Sequence, residues 1–303
     1  MARTVLVTGA TGKQGGAVIN SLLAAKADFE ILAVTRNATS NAAQKLAQKS
    51  STIKLITGDL NNVDDIFKKA KEVSSFPVWG VYSVQVVAMK NGDDTEERQG
   101  KALVDAAVKN SVKHFVYSSV DRGGEKSADN PTDVPHFIHK HNVEQHLFRK
   151  AKESGMTYAV LRPVAFYDNL VPGFGGKIFG TVFEMKLPKK PLQFIATTDI
   201  GYFGAQAFLK PEEWRNRSIS LAGDELTFAE FRDIFKKKTG QPLPATFRIV
   251  GRLILWLSKD FNMMFNWFDS HGYSVDIDAL RKQRPELQDF ATWLEKESQF
   301  ETR

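Results

Sequence analysis

A histidine and a lysine stand four residues apart in the stretch "VPHFIHKHNVEQHLF", where Pro135 is well placed as the first residue of a helix. Residues at this spacing share one face of a helix, so His136 and Lys140 should point into the same space. A histidine can act as a general acid. Burial, a nearby ammonium group and a helix N-terminus all favour the neutral imidazole, which is a much weaker proton donor. Three roles therefore stay open for His136: catalytic acid, contact to a ligand or cofactor, and structural residue.

A glycine-rich segment, "VLVTGATGKQGG", separates a strand pattern from a helix pattern near the N-terminus. In the spacing of Gly9, Gly12 and Gly15, the first glycine allows a tight turn, the second lets the backbone approach a pyrophosphate, and the third lets the helix pack closely on the strand. Phosphates then meet free N–H groups at the positive end of the helix dipole. The predicted contacts of this dinucleotide-binding loop are Gly9, Ala10, Thr11, Gly12, Lys13, Gln14 and Gly15.

The end of the second predicted strand, "VTRN", indicates which dinucleotide is bound. An NAD site would carry Asp or Glu there to bind the ribose hydroxyls, whereas this sequence has Arg36. A guanidinium suits a 2′-phosphate by charge and by forked hydrogen bonding, which favours NADP(H) over NAD. Lys13 can add to this site, and Asn37, Thr39 and Ser40 offer neutral donors nearby. The alternative for Arg36 is a surface arginine.

Two further strand ends carry candidate cofactor contacts. "TGDL" after the third strand places Asp59 and Leu60 where an adenine ring should lie, with the carboxylate on the exocyclic amine and the leucine on the ring. Ser83 and Gln85 follow the fourth strand and should line the path to the nicotinamide. For each of these residues, a helix cap or a polar loop residue is an equally good interpretation.

The elements that must position these residues alternate between strands and helices over the first 165 residues. Six apolar, β-branched strand patterns are separated by amphipathic helix patterns. Strands that are apolar on both faces suit a buried parallel sheet, and their alternation with helices predicts βαβ units with helices on both faces. The fold class is therefore α/β, a Rossmann-type doubly wound parallel sheet spanning residues 1–165.

The pattern changes after residue 165. The segment "GFGGKIFG" has the composition of a glycine-rich loop, "LQFIATTD" that of a short strand, and "DIGYFGAQAFL" that of a helix capped by Asp199. A strand over "RSISLAG" follows, and "TFAEFRDIFKKKTG" predicts a helix with Thr227 as N-cap, Glu230 at N3 and Gly240 as the stop. We expect residues 166–303 to form a smaller α/β lobe that packs intimately over the carboxyl ends of the sheet, where ligands bind in such folds.

Composition limits the function classes. The chain of 303 residues has no cysteine, which excludes disulfides, thiolate catalysis and cysteine-ligated metals. The net charge of +6 comes from Lys and Arg spread along the chain, so it supports an anionic cofactor better than direct nucleic-acid binding. The apolar stretch after residue 248 is interrupted by Arg252, Lys259 and Asp260 and is too broken to span a bilayer. We expect a soluble intracellular protein, cytoplasmic or also nuclear.

In their order along the chain, "VLVTGATGKQGG", "VTRN", "TGDL", "HFVYSS", "HFIHK" and "LRPVAFYDNL" resemble the NmrA-like family, an atypical branch of the short-chain dehydrogenase/reductase superfamily. The resemblance covers nearly the whole chain and implies a Rossmann fold that binds NADP(H). It also implies cofactor contacts at residues 9–14, 36–40, 59, 140 and 166–169, which adds Phe166, Tyr167 and Asn169 to the predicted site. Active superfamily members carry a Tyr where this sequence has His136, a Lys that holds the nicotinamide ribose at the position of Lys140, and an upstream Ser. Ser118 or Ser119 stands near the place of that serine, and strand alternation lets only one of them point inward.

The resemblance leaves two functions open. The first is an NADP(H)-binding redox sensor or transcription-related regulator with little or no dehydrogenase activity, whose partner would be a protein such as a transcription regulator. The second is an NADPH-dependent oxidoreductase acting on a small carbonyl or quinone, with His136 or Tyr167 orienting the substrate. Four histidines between residues 136 and 146 do not share one helix face, so no metal site is predicted. Glu144 is expected to pair with Lys140, and the chain is expected to be a monomer or a homodimer.

Overall fold

The computed structural model describes residues 3–87 and 92–303. The strands in these residues are β1 (Arg3–Val7), β2 (Phe29–Thr35), β3 (Ile53–Thr57), β4 (Val78–Ser83), β5 (His114–Ser118), β6 (Thr157–Pro163), β7 (Ala165–Phe166), β8 (Leu192–Ile195), β9 (Arg217–Leu221) and β10 (Asp224–Leu226). The helices are α1 (Lys13–Ala24), α2 (Asn41–Ala47), α3 (Val63–Val73), α4 (Thr95–Lys109), α5 (Pro135–Ser154), α6 (Phe174–Lys186), α7 (Thr197–Leu209), α8 (Phe228–Thr239), α9 (Arg248–Leu257), α10 (Lys259–Ser270), α11 (Ile277–Gln283) and α12 (Phe290–Lys296).

A seven-stranded sheet in the order β3-β2-β1-β4-β5-β6-β9 forms the centre of the molecule. All of its strand pairs are parallel. The order 3-2-1-4-5-6 is that of a dinucleotide-binding Rossmann sheet, and it places the ends of β1 and β4 next to each other at the switch point. The predicted α/β fold class is confirmed.

Helices cover both faces of this sheet because its strands are apolar on both sides. Val5 and Val7 of β1 belong to the core cluster formed with α1 and α7. Leu6, between them, belongs to the cluster formed with α3, α4 and α5 on the other face. This alternation fixes which strand-end residues can reach the cavity described below.

A second lobe is built around the three-stranded sheet β10-β8-β7 and an aromatic core. Phe231 of α8 stacks on Phe290 of α12 with ring centroids 3.9 Å apart. The predicted capping box of α8 is confirmed, since the Thr227 and Glu230 side chains bind each other's backbone N–H groups, and Gly240 ends the helix in the left-handed region.

The glycine-rich segment after residue 172 is a helix, and the prediction of a loop was wrong. Gly176 and Gly180 lie inside α6, where a Cβ on Gly176 would collide with the Val171 carbonyl oxygen and one on Gly180 with the Pro244 carbonyl oxygen. These glycines therefore permit close packing of a helix on neighbouring backbone, which the sequence pattern does not distinguish from a loop.

Two other expectations for the second half need correction. The helix predicted to begin at Asp199 begins at Thr197, where the Asp168 carboxylate accepts from the Thr197 N–H at 3.1 Å in place of a local cap. Asp199 is buried in the first turn and binds Arg284 Nε at 2.6 Å. Residues 166–303 were all expected to belong to the second lobe. The strand predicted over "RSISLAG" is instead β9, which pairs with β6 in the main sheet, and α7 packs on α1. Elements beyond residue 165 thus complete the Rossmann layers as well as building the second lobe.

Candidate functional site

The turn between β1 and α1 has the geometry of a phosphate cradle. Gly9 has a φ of +58°, a left-handed conformation that favours glycine, and its carbonyl accepts from the Gly12 N–H at 2.8 Å. A Cβ on Gly15 would collide with the Gly9 carbonyl and would lie 2.6 Å from the Thr8 carbonyl oxygen. Gly12 is the N-cap of α1 and no side chain caps this helix, so its first N–H groups remain available to an anion.

The other residues of this turn lie in different environments. Ala10 is buried, and Thr11 is exposed. Lys13 is exposed and donates to the Asp168 carbonyl oxygen rather than reaching the end of β2. Gln14 Oε1 accepts from Ser118 Oγ at 2.5 Å and from the Tyr82 hydroxyl at 3.3 Å, which holds the amide at the wall of the cavity.

The end of β2 presents Arg36 without a protein partner among the described residues. Arg36 is exposed, and the polar groups around it are engaged with one another. Asn37 Oδ1 accepts from the Thr39 N–H at 2.9 Å and from the Thr39 hydroxyl at 2.7 Å, while Ser40 caps α2 by accepting from the Ala43 N–H at 3.3 Å. The turn is thus held by its own side chains, and the guanidinium remains free for an anion.

Asp59 and Leu60 follow β3 as predicted, and Asp59 has a local role there. Its carboxylate accepts from the Asn61 backbone N–H at 2.8 Å and from the Asn61 side chain at 3.0 Å. Leu60 is half-buried against the core cluster of α3, α4 and α5. Contact of this pair with an adenine ring stays a prediction.

A cavity of about 430 Å³ lies where the carboxyl ends of β4 and β5 meet the second lobe. Its Rossmann side includes Gln14, Gln85 and Ser119, and its other side consists largely of apolar side chains from β7, α6 and α10. The Gln85 amide nitrogen donates to Ser83 Oγ at 2.9 Å, but its buried Oε1 has no hydrogen-bond partner within residues 3–87 and 92–303. Ser83 is fully buried behind Gln85 and does not line the cavity.

Lys140 lies at the cavity wall and is held by a carboxylate that sequence reasoning missed. Its Nζ is 2.7 Å from Glu96 Oε1 and 3.4 Å from the Ser118 carbonyl oxygen. Lys140 is 7% exposed and Glu96 is 0% exposed, so their charges compensate each other in a buried environment. The contact is an ion pair by distance, although neither Glu96 oxygen receives a well-aligned hydrogen bond.

Glu144 was wrongly expected to be the partner of Lys140. Its carboxylate is fully buried and binds Arg162 Nη2 at 2.7 Å and Arg122 Nη2 at 2.9 Å. Burial raises the pKa of Glu144, but the two guanidiniums outweigh it and hold the pKa below its ordinary value. The helix spacing puts Lys140 and Glu144 on one face, yet β6 and the loop after β5 bring a stronger, forked partner to the carboxylate.

His136 forms a buried pair with Asp260, the second residue of α10. The Asp260 carboxylate accepts from the His136 backbone N–H at 3.1 Å and also contacts His136 Nδ1 at short hydrogen-bonding range. His136 is 8% exposed and Asp260 is 5% exposed, and both line the cavity. With an Nδ1–H donated to Asp260, Nε2 is the ring atom left for the cavity, as an acceptor in the neutral ring and as a donor in the protonated ring.

The two serines after β5 point to different partners. Ser118 Oγ donates to Gln14, beside the cradle. Ser119 lines the cavity, and its hydroxyl donates to Glu144 and accepts from Arg122 Nη1 at 3.2 Å. Both hydroxyls are therefore engaged with protein groups.

Tyr167 is a correction to the predicted site. Phe166 and Asn169 line the cavity, whereas Tyr167 is fully buried in the second lobe, stacked between Phe194 and Phe290 at centroid distances of 5.6 and 5.4 Å. Burial raises its pKa well above the ordinary value, and its hydroxyl has no partner among the described residues. Because Tyr167 lies in the aromatic core of the second lobe and not at the cavity, it is not placed to orient a substrate there.

No group of three or more His, Asp or Glu side chains is arranged to hold a metal in the part of the chain that the structure describes. His146, on α5, instead pairs with Asp105 at 2.7 Å, away from the cavity.

The cradle, the exposed Arg36 and the paired Lys140 are placed as a dinucleotide-binding Rossmann fold requires. The model of the NmrA-like family matches residues 1–294. This chain belongs to the NmrA-like family. Its relatives include the NmrA-like family domain-containing oxidoreductase lnaB of Aspergillus flavus, which is 38% identical over 294 residues, 89% of this chain and 84% of that protein.

Other relatives and solved structures agree with the NmrA-like assignment. An NmrA-like family domain-containing protein of Dictyostelium discoideum is 24% identical over 284 residues, 90% of this chain and 89% of that protein. The Citrobacter sp. triphenylmethane reductase, solved with NADP(H), has a TM-score of 0.70 at 19% identity and covers 96% of this chain and 99% of its own. A mutant NmrA has a TM-score of 0.66 at 19% identity and covers 98% and 95%. At these identities the two structures establish the shared fold.

Proposed function

We propose that this NmrA-like protein is an NADP(H)-dependent oxidoreductase that reduces a small, uncharged carbonyl or quinone. The observation that carries the proposal is the His136–Asp260 pair at the wall of a cavity next to Lys140. The printed names of the relative from Aspergillus flavus, an oxidoreductase, and of the Citrobacter enzyme, a reductase solved with NADP(H), support it.

The residues of the cradle fit NADP(H). The uncapped start of α1 and the tight turn at Gly9 suit a pyrophosphate, and the exposed Arg36 suits a 2′-phosphate. Gln85 Oε1, buried and unpartnered at the cavity, suits a hydrogen-bond donor on the cofactor or the substrate. Lys140, aligned by Glu96, suits the ribose hydroxyls next to the nicotinamide.

The protein's part in the reaction is to bind, to orient and to move one proton. NADP(H), held by the cradle, Arg36 and Lys140, would supply a hydride for the substrate carbon. Protonated His136 would donate its Nε2 proton to the substrate oxygen, so a carbonyl that gains one hydride on carbon and one proton on oxygen becomes an alcohol. In a quinone the same addition, followed by tautomerisation, gives a hydroquinone. Asp260 holds the ring by Nδ1 and stabilises the positive charge that the imidazole carries before it donates.

The lining of the cavity indicates the substrate class. Lys140, His136 and Asp260 line its wall, and each is already paired with an opposite charge or with one another. Tyr273 also lines the wall, and burial raises the pKa of its hydroxyl well above the ordinary value. The remaining wall is rich in apolar side chains, among them Phe179 and Phe265. A charged substrate would lose its hydration without gaining a free partner, so an uncharged molecule with apolar or aromatic groups fits best.

The experiment is an assay of NADPH oxidation with purified protein and a panel of quinones and aldehydes. We expect turnover that falls at least tenfold in His136→Gln while NADPH affinity stays within about twofold, because general acid catalysis contributes on the order of a hundredfold or more. The matched control is His146→Gln, which removes a histidine from the His146–Asp105 pair on the same helix, outside the cavity. NADPH binding without turnover of any substrate would refute the enzyme proposal and favour the NADP(H) sensor.

A further inference from the structure

Helix α9 carries a row of large apolar side chains that face solvent. Ile249, Leu253, Trp256 and Leu257 are 70, 52, 76 and 58% exposed, and Phe247 just before the helix is 79% exposed. Their spacing places them on one side of the helix, and we call these five residues the α9 face. The opposite side packs on the protein through Gly251 and Leu255, which are buried.

The α9 face is not ordinary surface. Of the nine large apolar side chains that are exposed among the described residues, five belong to it. Scattered exposed apolar residues are normal, but a contiguous row on one element marks an interaction surface. The aromatic residues of segment 256–268 lie in two environments: Trp256 is exposed, while Phe265, Trp267 and Phe268 are buried.

The chain segment that contains the α9 face is rich in cations. Residues 234–259 contain Lys236, Lys237, Lys238, Arg248, Arg252 and Lys259 and no Asp or Glu. Arg248 and Arg252 are exposed on α9 itself and have no ion-pair or hydrogen-bond partner in the described parts of the chain. The α9 face, bordered by the unpaired Arg248 and Arg252, is complementary to a surface with an apolar interior and anionic groups at its boundary.

We propose that the α9 face docks on the surface of an anionic phospholipid bilayer, with the helix lying in the interface. Aromatic and aliphatic side chains then enter the acyl boundary while the two arginines meet lipid phosphates. A second copy of this chain fits less well, because a two-fold contact through this face would bring the unpaired arginines of both copies together. None of the described helices is long and apolar enough to cross a membrane, and the ten residues of α9 suit a helix that lies along one.

The position of α9 connects this surface with the cavity. Ser258 joins α9 to α10, which supplies Asp260, Phe261, Met264 and Phe265 to the cavity wall. A bilayer on α9 would therefore lie beside the helix that forms this wall. The docking itself does not depend on the proposed reductase activity, since it rests on α9 alone.

The test is co-sedimentation of the full chain with phosphatidylcholine vesicles that contain or lack about one third phosphatidylserine. We expect binding to the anionic vesicles, and partitioning at least tenfold weaker in Leu253→Gln/Trp256→Gln, because each substitution removes an apolar side chain from the interface. Arg248→Gln/Arg252→Gln should lose roughly tenfold or more on anionic vesicles. Trp256→Phe should still bind the vesicles. Quenching of its tryptophan fluorescence by spin-labelled lipid should be weaker than in the unmodified chain, because the tryptophan that enters the bilayer has been removed.

Two matched controls identify the surface. Phe76→Gln removes an exposed aromatic residue before β4, and Lys68→Gln/Lys71→Gln removes two exposed cations from α3. Both should bind vesicles like the unmodified chain. The proposal is overturned if the unmodified chain does not bind anionic vesicles, if the controls lose as much binding as the α9 variants, or if Leu253→Gln/Trp256→Gln abolishes only a self-association detected by sedimentation velocity.

Discussion

The substitution Asp260→Asn tests whether Asp260 aligns His136 for proton donation or whether His136 is only a buried structural residue. The Asp260 carboxylate binds both the backbone N–H and the ring Nδ1 of His136 and is 5% exposed, so no solvent molecule substitutes easily for it. Asparagine keeps the size but loses the charge that stabilises a protonated ring. A hydrogen bond to a charged partner contributes about 1.5–3 kcal/mol, which corresponds to a loss in kcat of roughly 10- to 150-fold.

The assay is steady-state NADPH oxidation over pH 5–9 with a substrate found by the panel. We expect kcat to fall while KM and NADPH affinity change little. The matched control is Asp269→Asn, on the same helix, where the carboxylate is about half exposed and pairs with Lys190. Unchanged kcat in Asp260→Asn, or a fall in kcat with a matching loss of thermal stability, would refute the positioning role.

Three other changes follow from single contacts. Gly15→Ala should abolish NADPH binding, because its Cβ would collide with backbone in the cradle, whereas Gly16→Ala, whose Cβ would stand 3.3 Å from the nearest carbonyl oxygen, should bind within a fewfold of normal by calorimetry. Arg36→Ala should weaken NADPH binding by about 1.5–3 kcal/mol and leave NADH binding nearly unchanged; equal losses for both would contradict the 2′-phosphate assignment. Burial lowers the pKa of His114 from 6.5 to about 4, so its contribution to stability is present above pH 6.5 and is lost as pH falls towards 4. That gap corresponds to about 3 kcal/mol, and urea unfolding should show a shallower pH dependence in His114→Gln.

Local signals predicted the Rossmann half well because each element there follows from its own residues. The six strand patterns and the helix patterns between them correspond to β1–β6 and α1–α5, and the capping box of α8 is complete within four residues. The error at α6 has a different cause. Gly176 and Gly180 are required by backbone from Val171 and Pro244, and such close packing is invisible to a reading of composition.

The candidate site likewise contains features that local sequence predicts and features that it does not. The cradle and the His136–Lys140 spacing can be seen within short segments, but the partners that decide what these residues do come from distant parts of the chain. Asp260 is 124 residues from His136 and, in the sequence, only interrupts an apolar stretch. Glu96 has no spacing relation to Lys140, and the carboxylate that does have one, Glu144, is taken by two arginines.

These distant carboxylates change the choice between sensor and enzyme. The sequence offered His136 beside an ammonium group at a helix N-terminus, an environment that argues against a protonated ring. In the structure Glu96 neutralises that ammonium, and Asp260 places a carboxylate on the ring. The nucleotide contacts proposed above are the cradle, Arg36 and Lys140, and they do not include the buried His136–Asp260 pair. Burying the Asp260 carboxylate is costly unless it is paired. The His136–Asp260 pair at the cavity wall, with ring atom Nε2 not used by Asp260, therefore favours the proposed proton donation over nucleotide binding alone.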